Sequence, residues 1–201
     1  MRIAVGSDHA GYELKTELAR QLADAGHDVV DFGTQSADVP VDYPVYGHAV
    51  AEFVVGGNAD YGVCVCGTGI GISIAANKVT GARAALAYDV TTASLARRHN
   101  DANVLCLGGR TTGLAQATDA MATFLSTAFE GGRHQRRIDE ITRSETGRAS
   151  EAADRPDAVG RSVLQGSHRD DQGDHRDDQG SHRDDQGSHR DDQGERQAPT
   201  R

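Results

Sequence analysis

The sequence predicts a three-layer α/β/α, Rossmann-like domain with a five-stranded parallel sheet over residues 1–141, followed by a disordered tail. Three observations lead there. Short apolar runs of strand length alternate with segments of helical period. All Phe and Tyr residues lie at or before Phe129. From Thr142 onward the large aliphatics reduce to Val159, Val163 and Leu164. So few apolar side chains cannot offset the entropy of ordering a backbone, so 142–201 reads as a low-complexity tail. Residues 1–141 can bury roughly two-thirds of their unfolded surface, enough for a core.

Each element follows in order. Arg2–Ser7 is a buried strand. Tyr12–Ala25 places Leu14, Leu18, Leu22 and Ala25 at helical spacing, and Gly26 suits the position just past its end. His27–Phe32 is a second strand. Pro40 and Pro44 punctuate the next loop, and Pro44 suits the first turn of a helix running to about Val55. Tyr61–Cys66 is a third strand that runs into Gly67-Thr68-Gly69-Ile70-Gly71. Ile72–Val79 is a helix, Ala82–Ala87 a strand, Val90–His99 a helix and Asn103–Leu107 a strand. Leu114–Phe129 is a helix, and a last basic helix starts near Arg133. Ligands of such sheets bind at the carboxyl ends of the strands. That rule directs attention to Asp8–Gly11, Cys66–Gly71, and His99–Asn103 with its neighbour Gly108-Gly109-Arg110.

Within the tail, residues 166–193 repeat a GSHRDDQ-type heptapeptide. A coiled coil needs apolar a and d positions, and the repeat has none. His168, His175, His182 and His189 offer metal ligands without preformed geometry, so a polar linker or tail is the better reading.

Net charge is −9, with no basic stripe interleaved with aromatics, which argues against nucleic acid as a partner. Three Cys residues without a disulfide spacing fit a reducing compartment. The first residues carry no signal-like apolar region, and no uncharged run is long enough to span a bilayer. A cytoplasmic protein with no membrane partner is expected.

Cys66 stands out. It sits where the third strand meets a Gly-rich turn that opens a helix. Free N–H groups and partial positive charge would face a thiolate there. The structural alternative, a small buried hydrophobe, is accepted for Cys64 and Cys106 inside their strands. Gly67–Gly71 suits an oxyanion or phosphate cradle, or only a tight turn. No G-x-G-x-x-G follows the first strand, and no G-x-x-x-x-G-K-[ST] occurs. Arg133 and Arg137 share a helix face and could join Arg110 in clamping a phosphate, or form a solvated basic end. His99 and Asn100 mark a helix end, with Asn100 able to take the left-handed conformation.

Together these pieces resemble the ribose-5-phosphate isomerase B family, which also contains galactose-6-phosphate isomerase subunits. The resemblance is carried by GSDHAGYELK (6–15), DYP (42–44), CGTGIGISIAANK (66–78), Arg83-Ala84, RRHNDANVL (97–105), GGR (108–110) and EGGRHQRRI (130–138). It covers nearly all of 1–141 and none of the tail. It implies a metal-free, cofactor-free aldose–ketose isomerase of the pentose phosphate pathway, interconverting ribose 5-phosphate and ribulose 5-phosphate. Cys66 would be the base, and Thr68 with the Gly67, Gly69, Ile70 and Gly71 backbone would hold the enediolate oxygen. His99 would open the sugar ring, with Asp8 nearby. His9, Arg110, Arg133 and Arg137 would bind the phosphate, Asn100 the substrate oxygens, and Tyr43 would line the pocket. Some relatives lack this Cys and use a Glu in the helix after the Gly-rich loop. Ile70–Ser73 contains no carboxylate, which places the chain in the Cys branch. Family sites are built from two subunits, so a homodimer or a dimer of dimers is implied. Tetrose or hexose phosphates are alternative substrates, and a non-catalytic sugar-phosphate-binding protein is the alternative from another class. The set Cys66, Thr68 and His99 disfavours the latter, because binding alone needs no base.

Overall fold

Apolar runs this short bury both faces only at the centre of a layered domain, and the chain uses them so. The computed structural model describes residues 1–145. The tail and its repeats lie outside the described residues. The strands are β1 (Arg2–Ser7), β2 (Asp28–Asp31), β3 (Tyr61–Cys66), β4 (Ala84–Leu86) and β5 (Val104–Gly108). The helices are α1 (Tyr12–Asp24), α2 (Tyr43–Val55), α3 (Ile70–Ala76), α4 (Val90–Asn100), α5 (Leu114–Ser126) and α6 (Arg133–Glu145). A 3-10 turn, His9–Gly11, leads into α1. All strand pairs are parallel, in the order β2-β1-β3-β5-β4. The order reverses direction between β1 and β3, and the crevice at such a switch point is where open α/β sheets take ligands.

Strand alternation sends successive side chains to opposite layers. Val63 and Val65 of β3 pack with Ile3, Leu18, Leu105, Leu107 and Phe124 in the core that α1, α4 and α5 cover. Cys64 and Cys66 point the other way, into a second core with Val50, Val54, Ile72, Val104 and Cys106 under α2 and α3. Leu14, Leu18 and Leu22 of α1 lie one turn apart and are all buried. Burying one such side chain stabilises by roughly 1.5–3 kcal/mol.

Lys15 on α1 is 1% exposed. Its ammonium donates to both Asp31 carboxylate oxygens (2.9 and 2.7 Å) and to the Thr34 carbonyl (3.0 Å), so the buried charge is fully paired. It ties α1 to the segment after β2, whose Gly33 and Thr34 exchange backbone hydrogen bonds of 2.7 Å with Ser7.

Most elements match the sequence-based expectation. Gly26 takes a positive φ of 82° past α1, and a proline opens α2. Element ends differ in detail, with β2 shortened to Asp28–Asp31 and α3 stopping at Ala76. α3 starts at Ile70, two residues early, because Gly69 turns the chain at φ 77° and frees Ile70 to begin the helix. β4 is confined to Ala84–Leu86, at the sheet edge. α5 ends at Ser126, and Thr127 is already extended. α6 continues past residue 141 to Glu145, whose carboxylate accepts the Gly81 amide at 3.1 Å.

Candidate active site

Three loops meet at the carboxyl end of the sheet, stitched together by their backbones. The Asp8 amide donates to Val65 O (3.3 Å), and its buried carboxylate accepts the Gly11 amide (2.9 Å), capping the turn into α1. Gly11 is required, since a Cβ there would stand 2.5 Å from the Val65 carbonyl oxygen. The Gly109 amide donates to Cys66 O (2.8 Å) and the Arg110 amide to Gly67 O (2.9 Å). The loops after β1, β3 and β5 are thereby locked into one platform.

Cys66 ends β3 and is 4% exposed. Its sulfur accepts the Gly69 amide at 3.2 Å. That bond needs the left-handed turn at Gly69, where a side chain would also strike Leu86 and the Leu107 backbone. Thr68 Oγ1 accepts the Ile70 amide (3.3 Å) at the first turn of α3, whose leading N–H groups have no acceptor inside the helix. The Tyr43 ring lies over Gly71, so close that a Cβ would come within 2.6 Å of it. Arg110 reaches back to Gly67, with Nη1 3.6 Å from where a Cβ would be. His9 Nδ1 lies 3.2 Å from the Val41 amide nitrogen and 3.3 Å from the Val41 carbonyl oxygen, which fixes the ring against the loop before α2. Cys66, Thr68, Gly67, Gly69, Ile70, Gly71, Asp8, His9, Tyr43 and Arg110 therefore lie together at the carboxyl end of the sheet.

His9, Gly109, Arg110 and Thr112 border a cleft of about 540 Å³ on the α1–α5 side. Cys66 does not line it and faces the α2–α3 layer instead. The cleft adjoins the anion-binding candidates rather than the thiol.

His99, Asn100, Arg133 and Arg137 do not join this group within one chain. The expectation that His99–Asn103 lies at the carboxyl end is corrected. A helix that follows a parallel strand runs back, so the last turn of α4 lies at the amino end. In the register, Val104 pairs with Gly62 and Gly108 with Cys66. The loop before β5 is thus four residues, about 13 Å, down the sheet from Cys66. Within one chain, Asp8 is separated from His99 for the same reason.

The amino-end group has its own construction. The His99 ring stacks on His134 of α6 at 4.2 Å and 6°. Arg133 Nε donates to His134 Nε2 at 3.3 Å. Glu130 Oε2 stands 3.8 Å from Nε2 of both histidines, while Oε1 is held by Arg98. Burial, then neighbouring His99 and Arg133, hold the His134 imidazole below its usual range. Asp101, not Asn100, takes the left-handed conformation, at φ 44°. Arg97 and Arg83 explain why: each donates to one Asp101 carboxylate oxygen (2.8 and 2.9 Å), and Arg83 also binds the Asn100 and Asp101 carbonyls (3.1 and 2.9 Å). Sequence reasoning missed Asp101, Glu130 and His134. The four-residue spacing of Glu130 and His134 was the available signal, but their link to His99 is long-range.

The family model described as Ribose/Galactose Isomerase matches residues 3–141. Ribose-5-phosphate isomerase B of Escherichia coli is 47% identical over 141 residues, covering 70% of this chain and 94% of that protein. Ribose-5-phosphate isomerase B of Mycolicibacterium paratuberculosis is 44% identical over 161 residues, covering 80% and 100%. Among solved structures, Clostridium thermocellum ribose-5-phosphate isomerase B superposes with a TM-score of 0.72 at 50% identity, covering 73% of this chain and 99% of that one. The Mycoplasma genitalium ribose-5-phosphate isomerase B with bound ribulose 5-phosphate gives 0.69 at 44% identity, covering 72% and 96%. No helix among the described residues is long and apolar enough to cross a membrane.

Proposed function

The chain belongs to the ribose/galactose isomerase family, and from that premise we propose that it interconverts ribose 5-phosphate and ribulose 5-phosphate, with Cys66 as the base. The observation that carries the chemistry is the Cys66 sulfur at the β1–β3 switch point, facing the Gly69 amide.

An aldose–ketose isomerisation moves one proton between adjacent carbons. Cys66 takes the proton from C2 of the open-chain aldose. The electron pair left behind forms the C1–C2 double bond, and the carbonyl π electrons move onto O1, giving an enediolate. The O2 hydroxyl proton then passes to O1, the carbonyl forms at C2, and the proton held by Cys66 is delivered to C1. Nothing is oxidised or reduced overall, so no cofactor is needed. Thr68 and the amides of Gly67–Gly71 stabilise the oxygen that gains charge, and oriented donors in a dry site are usually the largest electrostatic contribution to such a step. His9 and Arg110 bind the phosphate from the carboxyl-end platform.

His99, Asn100, Arg133 and Arg137 complete the site from a second copy of the chain. Their separation from Cys66 within one chain supports this arrangement, as does apolar surface near the platform. Ile70 and Ile74 lie one turn apart on α3 and are 49% and 55% exposed. His99 of the second copy would open the furanose ring by moving a proton between the ring oxygen and the C1 hydroxyl. The working unit is then at least a homodimer, in a cytoplasmic setting.

A turnover assay across phosphorylated tetroses, pentoses and hexoses, with EDTA present, tests the substrate. Ribose 5-phosphate should give the highest kcat/KM. Turnover of no sugar at all would remove the isomerase reading, and preference for a hexose phosphate would move the substrate. Sedimentation of a fully active monomer would remove the shared site.

A further inference from the structure

The buried lysine of α1 sits one step behind the phosphate-binding end of the platform. We propose that Lys15 is a positioning residue for substrate capture: its ammonium anchors the loop between β2 and α2, and that loop holds His9 where it meets the phosphate. The anchoring rests on geometry alone, whereas its effect on capture rests on the proposed role of His9.

A buried ion pair is a poor source of stability. Taking an ammonium out of water is costly, and an apolar side chain of similar volume in its place is often neutral or stabilising. What the ammonium supplies here is direction. An –NH₃⁺ has three N–H donors, and Lys15 uses two on the Asp31 carboxylate at the end of β2 and the third on the Thr34 carbonyl in the loop. Asp31 Oδ1 also accepts the Gly33 amide at 2.8 Å. The Ser7 amide donates to Gly33 O and the Thr34 amide to Ser7 O, and Ser7 leads directly into Asp8 and His9. One buried cation thus gathers the end of β2, the start of the loop and the end of β1.

The loop has few other supports among the described residues. Residues 35–42 form no helix or strand, and Gln35, Ala37, Asp38, Val39 and Pro40 are exposed. Within it, Ser36 Oγ accepts the Asp38 amide at 3.1 Å. The loop returns to the site at Val41, whose amide nitrogen and carbonyl oxygen both lie against His9 Nδ1, and it enters α2 at Tyr43, whose ring covers Gly71. The contact that fixes the His9 ring therefore comes from a segment whose near end Lys15 holds. Cys66 has separate supports, because the Gly109 and Arg110 amides bond to the carbonyls of Cys66 and Gly67. Loss of the anchor should weaken phosphate capture and spare proton transfer.

The test uses the full-length protein with both charges removed together, Lys15→Met with Asp31→Asn. Neither ion is then stranded, and the amide oxygen introduced at position 31 can still accept the Gly33 amide. Hydrogen exchange read by mass spectrometry should quicken in peptides covering 33–42 and stay unchanged across 62–72. Inorganic phosphate, titrated by calorimetry, should bind about tenfold more weakly, and KM for ribose 5-phosphate should rise by about the same factor, with kcat within about twofold. In a His9→Ala background the same two changes should move KM by less than about twofold, because an effect relayed through His9 has nothing left to act on. A lower Tm with phosphate affinity and KM unchanged would make Lys15 a residue of the core only and overturn the proposal. An equal rise in KM with and without His9 would overturn the relay. Unchanged exchange at 33–42 would remove the anchoring itself, whatever the kinetics. Exchange and phosphate titration need no turnover, so they decide the proposal even if the isomerase reading fails.

Discussion

The two ends of the sheet are built by different means. At the carboxyl end, main-chain hydrogen bonds between loops set the positions: Gly109 to Cys66, Arg110 to Gly67, Asp8 to Val65. At the amino end, side chains do it: Arg97 and Arg83 on Asp101, Arg98 on Glu130, His134 on His99. A backbone platform holds its geometry through most substitutions, because the groups that define it belong to every residue type. A side-chain lattice depends on the identity of each member. The carboxyl end should therefore lose chemistry without losing shape, and the amino end should lose both together.

The largest expected effect is at the platform. Cys66→Ala should lower kcat by about 10² to 10⁴, the usual worth of a positioned base. KM should stay nearly constant, because the phosphate ligands do not touch the thiol. Wild-type kcat in this variant would hand the base role to another residue and dissolve the contrast. Iodoacetamide should inactivate the enzyme through Cys66, and substrate should slow it. The bond to Cys64, then burial, pushes the Cys106 thiol well up, so it stays protonated and unreactive; peptide mapping would show which thiol is labelled.

His99→Ala should act at the other end, and selectively. Turnover of the cyclic aldose should fall by at least tenfold, on the order of the lower range for lost proton transfer. Turnover of the open-chain ketose should fall less. Equal losses for both would separate His99 from ring opening.

Mixing the Cys66→Ala and His99→Ala variants, assayed on the cyclic aldose, joins the ends. If each site takes one end from each subunit, random reassortment gives about half heterodimers, each with one intact site. Activity should return to about a quarter of wild type after subunit exchange. No recovery, with exchange verified by mass, would mean that both ends serve a site within one chain.

Asp101→Gly keeps the left-handed backbone and removes the carboxylate that Arg83 and Arg97 share. We expect a severalfold loss of kcat/KM with the Cys66 alkylation rate unchanged. An equal change at Cys66 would show that the two ends are mechanically coupled. Smallest of all, truncation after Glu145 should leave kcat/KM within about twofold, or ~0.4 kcal/mol. A tenfold loss would give the tail a role at one of the ends.

How much of this was legible beforehand depended on range. The layers were, because strand and helix periods are local, and Gly26 and Pro44 mark their own positions. The platform was also legible, because Cys66 and Gly67–Gly71 are contiguous and the strand-end rule points to them. The location of His99 was not read correctly, although the order of elements contained it: a helix leaving a parallel strand must return to the amino end. The left-handed residue at the end of α4 was out of reach. Asn100 and Asp101 both tolerate that conformation, and the choice falls to Arg83, 18 residues away in sequence from Asp101. The Glu130–His99–His134 cluster joins residues from two helices and the loop between α5 and α6, so no window of sequence displays it.

The bond between Glu145 and the Gly81 amide ties the end of α6 to the turn before β4. Gly81 lies in the connection before β4, at the same end of the sheet as His99, and α6 carries Arg133 and Arg137. A surface attachment, fluorophore or fused partner joined directly after Glu145 would therefore pull on the helix that carries Arg133 and Arg137. Immobilised through its N-terminus, where Met1 also adjoins the amino end but leads into β1, the same protein would load the central sheet instead. The two orientations of tethering should differ in apparent KM before they differ in turnover, which makes the choice of anchor a mechanical probe of substrate capture.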